Sequence, residues 1–147
     1  MTYSKFLLMI LVSFLFMFAI MFFNLAELDH FYVSLNRIYM ELLMAASMAV
    51  IMMVMMYAMY PDKKKNNLII IFGLILFSLT LVGIRTQTPI GDVQYMKAMI
   101  PHHSSAILTS GNADIKDPEV RKLADDIIKA QKKEIAEMKA MLKRMGE

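Results

Sequence analysis

The residues best suited to chemistry lie in the last third of the chain. Met96, Met99 and His103 are spaced three and four apart, so on a helix their side chains converge on one face. His102 falls at the edge of that face, beside Tyr95. Thioether and imidazole are soft and borderline donors, which together suit Cu(I) and, by the same softness, Ag(I). Such a site needs neither carboxylate nor cysteine, and the chain has no cysteine. The plainer reading is a core histidine, His103, hydrogen-bonded to Gln131 or to a backbone carbonyl, with methionine as filler. Spacing leaves both open. There is no Ser-His-Asp set, no glycine-rich phosphate loop and no Glu-x-x-His pair of the di-iron bundles, so the expectation is a protein that is not an enzyme.

The elements that must hold these residues follow from periodicity. Thr86 to Gly91, with two threonines, a proline and a glycine, reads as a linker able to cap a helix at Thr88 or Asp92. A helix is predicted from Asp92 to about Ser110, stopping at Gly111-Asn112. Pro101 either kinks it or restarts it as a first residue. Asp117-Pro118-Glu119 opens a second helix, with Asp as N-cap and Pro at the first position, running to about Met145. On a wheel of about 100° per residue its apolar face carries Val120, Leu123, Ala124, Ile127, Ile128, Ile135, Met138, Met141, Leu142 and Met145. Gln131 sits in the middle of that face and Glu134 near its edge. A short connection makes the two helices antiparallel neighbours, enclosing His103 and polar groups that need partners. Two helices alone bury too little, so a partner hairpin, the membrane region or a metal must complete the core. Dimerisation is favoured, with a metal adding to it.

Upstream, 58% of the 147 residues are apolar and the charges are clustered. Charge-free runs separate Lys5 from Glu27, cover Leu42 to Pro61, and extend from Asn66 to Ile84. Each is near the roughly 20 residues that cross about 30 Å of hydrocarbon. Three transmembrane helices are predicted, over about 6–26, 38–60 and 67–85, the first an uncleaved span because Asn24-Leu25-Ala26-Glu27 is a poor cleavage site. Lys5 and Lys63-Lys64-Lys65 set against the acidic Glu27 and Asp29 put the N-terminus in the cytoplasm and residues 92–147 outside it. Past Arg85, ten Lys/Arg face nine Asp/Glu, which leaves no basic surface for nucleic acid.

Two further features stand apart. The second span carries Met40, Met44, Met48, Met52, Met53, Met55, Met56 and Met59, all but Met53 within an arc of about 160°. They form either a track of weak Cu(I) contacts, with Met40 and Met44 at its outer mouth beside Arg37 and Glu41, or ordinary packing. His30, with Glu27 and Asp29, is either a solvated loop histidine or one that meets Met138, Met141 and Met145.

The segment Asp92-Val93-Gln94-Tyr95-Met96-Lys97-Ala98-Met99-Ile100-Pro101-His102-His103, with Asp117-Pro118-Glu119-Val120-Arg121-Lys122-Leu123-Ala124 and Gln131-Lys132-Lys133-Glu134-Ile135-Ala136-Glu137-Met138, resembles the DUF305 family. The match covers most of residues 92–142, and Asn36-Arg37-x-Tyr39-Met40 with the Met-rich second span looks like its membrane-anchored branch. The resemblance implies a ferritin-like helical bundle and, as in some members, extracytoplasmic copper binding. Carried over residue by residue, the ligands are Met96, Met99, His102, His103 and Met138, with His30, Met40, Met44 and Glu134 as further candidates from the residues themselves. Ser104-Ser105 departs from the family, where many relatives carry glutamine or methionine.

The expected function is a membrane-anchored extracytoplasmic protein binding Cu(I), in copper handling or tolerance. The rival is a non-catalytic structural or regulatory membrane subunit whose hairpin mediates oligomerisation. Expected partners are the lipid bilayer and a further copy of the chain.

Overall fold

A computed structural model describes residues 2–147, and among these the chain is all-helical, without strands. Five α-helices follow in order: α1 Tyr3–Ile20, α2 Leu35–Met55, α3 Lys63–Thr86, α4 Asp92–Asn112 and α5 Pro118–Arg144. Short 3₁₀ turns occupy Leu28–His30 and Tyr57–Met59. The chain divides into two compact units.

Unit one comprises the chain up to Ile20 with Asn36–Pro89. Its α1, α2 and α3 are long and apolar enough to cross a membrane. Their ends differ from the charge-free runs because caps and turns set them. The first helix stops at Ile20, six residues before Ala26, where a turn begins at Met21. The third starts at Lys63, since the Asp62 carboxylate accepts from Lys64 N (3.0 Å) and Lys65 N (3.1 Å) as an N-cap. Those N–H groups hold the Asp62 carboxyl below its usual range. The lysine triplet is thus the first turn of α3, not a loop. Helix α2 ends at Met55, so Met56 and Met59 of the methionine track lie beyond it.

Phe6, Met53 and Tyr60 form the buried core of unit one. Asn66, fully buried, ties this end together: it accepts from Tyr3 Oη (2.8 Å) and donates to Tyr57 O and Tyr60 O. Gly73 lets α3 approach α2 closely, because an added Cβ would stand 2.6 Å from Val50 Cγ2.

Unit two comprises Met21–Leu35 with Ile90–Glu147. Helix α4 passes through Pro101 without interruption, which removes the reading of a restart there. The local reason is packing: Ile100 and Pro101 are both fully buried. Gly111 and Asn112 remain helical, and the helix ends at Ala113, whose N–H bonds Thr109 O. At its other end the N-cap is Gly91 and makes no side-chain cap bond. Asp117 does cap α5 as its sequence implied, accepting from Glu119 N (2.9 Å) and Val120 N (3.0 Å) ahead of Pro118. Replacing Asp117 by alanine is expected to cost about 1 kcal/mol, read as a lower unfolding midpoint with unchanged helix content. A midpoint equal to wild type contradicts that role.

Helices α4 and α5 share a core of Met96, Ile100, Ile135, Met138 and Leu142, against which Tyr32, Val93, Met99 and Ile107 pack. Pairs between the helices are His103 Nδ1 with Glu134 Oε2 (3.3 Å) and Arg121 Nη2 donating to Ser110 O (3.0 Å), and Lys97 Nζ of α4 pairs with Glu147 Oε2 (2.6 Å) just past the end of α5. The loop Met21–Leu35 is fastened to α4 and α5 by polar contacts. Fully buried Ser104 accepts the Ala26 N–H at 2.8 Å and bonds His30 Nδ1 at 2.8 Å. Asn24 Nδ2 donates to Ser105 Oγ (3.0 Å), Leu35 N to Gln94 Oε1 (2.8 Å), and Lys139 Nζ to Asp29 Oδ2 (2.5 Å).

Candidate metal centre

Four methionines and a histidine line a cleft of about 410 Å³ in unit two. Its walls include Met96 and His103 from α4, Glu134, Met138 and Met141 from α5, and Met145 at the C-cap of α5. The spacing 96, 103 on one helix and 134, 138, 141, 145 on the other turns each set toward the shared side. Met96 and Met138 are buried, whereas Met141 and Met145 stand at the rim, 44% and 45% exposed.

His103 is the polar centre of this cleft. Its ring is buried, and Nδ1 faces Glu134 Oε2 at 3.3 Å without the alignment of a hydrogen bond. Gln131 Oε1 is likewise buried without a hydrogen-bond partner. The hydrogen bond to Gln131 that a core histidine was expected to make is therefore absent, and so is one from Nδ1 to a backbone carbonyl. Burial pushes the imidazole below its ordinary pKa, opposed by the Glu134 carboxylate and reinforced by His102. At neutral pH the ring is uncharged and keeps a lone pair, which a metal ligand requires.

Of the residues expected to act together, Met96, His103, Met138 and Glu134 line one cleft. Met99 does not; it packs against the core of the unit. His102 is exposed, with its ring centroid 5.9 Å from that of His103, and is not among the cleft walls. Met40 and Met44 belong to unit one and are 38% and 37% exposed. His30 corrects both of its expected readings. It is buried rather than solvated, and it bonds Ser104 instead of meeting Met138, Met141 or Met145.

His30 does have acidic company. Ligand atoms of Glu27, Asp29 and His30 lie within 4.8 Å of one another. Lys139 already neutralises Asp29 at 2.5 Å and holds that carboxyl below its usual range. A cation there would have to compete with the lysine.

Sequence reasoning left two residues of the cleft wall out of its candidate ligands. Met141 and Met145 follow Met138 at helical spacing, and that periodicity was the available signal. The anchoring role of Ser104 had only the family departure at Ser104-Ser105 to mark it.

These features define an all-helical protein with three helices apolar enough to cross a membrane and a further unit that carries a thioether- and imidazole-lined cleft. Residues 92–147 match the family model described as "Domain of unknown function (DUF305)". The chain is also 41% identical over 110 residues to "Uncharacterized protein L153" of Acanthamoeba polyphaga mimivirus, a match covering 74% of this chain and 70% of that protein. This chain belongs to the DUF305 family. No solved structure matches it.

Proposed function

We propose that this protein is a membrane-anchored, extracytoplasmic Cu(I)-binding protein, acting in copper handling or tolerance and not in catalysis. In this reading α1, α2 and α3 span the bilayer, with the N-terminus and the lysine triplet cytoplasmic. Helices α4 and α5 form an antiparallel, ferritin-like hairpin on the far side. One observation carries the reading: Met96, Met138 and the unbonded Nδ1 of His103 share a cleft. Two thioethers and an imidazole make a neutral, soft donor set that favours Cu(I) over hard cations. Glu134 at the rim supplies one negative charge near a monovalent ion.

The test is titration of the full chain with Cu(I) against a chromophoric chelator under reducing conditions. Withdrawal of copper from the chelator supports the reading; indifference of the chelator spectrum removes it and leaves the subunit role.

The same hairpin is proposed to pair with a second copy. Val120 and Leu123 on α5 are 50% and 60% exposed, an apolar strip of the kind two copies would cover. Sedimentation of the detergent-solubilised chain should show an oligomer that Leu123→Lys shifts to monomer. Equal mass for both proteins argues against pairing through this face.

A further inference from the structure

Within unit one, Glu41 on α2 is fully buried, and neither carboxylate oxygen has a hydrogen-bond partner. A carboxylate in that position is costly unless it takes up a proton or a positive charge joins it. An ionisable group within a membrane-spanning helix is a candidate functional position. Its helix carries thioethers on the same face. Met44 and Met48 follow at i+3 and i+7, so with Glu41 they occupy one face of α2 within about 60°. Met44 is partly exposed and Met48 half-buried.

We propose that Glu41, Met44 and Met48 form a second cation site, inside the spanning helices, for a soft monovalent metal ion. The charge arithmetic selects the class. One carboxylate and neutral thioethers favour an ion of single positive charge over a divalent one, the more so because the Arg37 cation stands one turn away on the same helix. Thioethers discriminate for Cu(I) or Ag(I) over sodium or potassium, which prefer oxygen. The site stands independently of the cleft in unit two, since none of its residues belongs to that unit.

The experiment uses the full chain in detergent and Ag(I), which needs no reductant. First the cleft is disabled by combining Met96→Leu, His103→Ala and Met138→Leu. That variant is expected still to bind silver. Adding Glu41→Gln should weaken the remaining binding by roughly tenfold or more, and Met44→Leu with Met48→Leu should do the same. The methionine pair decides the matter if the glutamine variant does not fold, as judged by helix content. The proposal is overturned if the cleft-disabled protein binds no silver, as it will if the carboxyl holds only a proton. It is equally overturned if the residual binding ignores these substitutions. Loss of binding on disabling the cleft alone counts against this site and leaves the cleft's own role intact.

Discussion

His103→Ala is expected to weaken Cu(I) binding about a hundredfold, or ~2.8 kcal/mol, while His102→Ala leaves it nearly unchanged. The two histidines are adjacent in sequence and chemically identical, so only their placement separates them. His103 is buried in the cleft wall with Nδ1 unbonded, whereas His102 is exposed outside it. Competition titrations of the two variants against the same chelator decide the point. Equal losses from both would sink the cleft as the binding site. The pH profile offers an independent check. Burial lowers the His103 pKa below the usual 6.5, so affinity should hold as pH falls through 6.5 and drop only below the depressed value. The sign for stability is the same. Between the two values the unfolded chain binds the proton and the folded chain does not, so acid in that window destabilises the fold and raising the pH restores it.

Ser104→Ala carries the second large effect, about 2–3 kcal/mol on the attachment of residues 21–35. The serine is fully buried, and its hydroxyl serves both the Ala26 N–H and His30 Nδ1. Removing it leaves a buried ring nitrogen and a backbone donor without partners, which costs more than the bonds themselves contribute. Amide exchange in residues 21–35 should accelerate roughly tenfold to a hundredfold, with α5 little affected. Unchanged protection at Ala26 would show that the serine is incidental.

Much of this architecture was legible beforehand because it rests on local patterns. Charge-free runs announced α1, α2 and α3, and Asp117-Pro118-Glu119 announced the start of α5 to the residue. Helix ends were less legible where a distant or backbone partner decides them, as at Asp62, which draws the start of α3 back to Lys63. Pro101 misled in one of its two readings because a proline's local penalty yields to burial against a packed core. For the cleft, periodicity placed Met96, His103 and Met138 on inward faces, and the structure brings those three together. Periodicity also put Met99 on that face, where the width of a helix lets a residue face the core and still miss the cleft. His30 was the least accessible, since its partner Ser104 lies 74 residues away and no spacing rule links them.

The family match begins at residue 92, yet the compact unit that contains it also draws on Met21–Leu35. A gene fragment cut at the linker would express α4 and α5 stripped of Ala26, Asp29 and His30, exposing Ser104 and Lys139 to solvent. Biochemistry on the excised C-terminal piece would therefore interrogate an incomplete object. A soluble version calls for residues 21–35 to be grafted back through a designed connection, or supplied as a separate peptide.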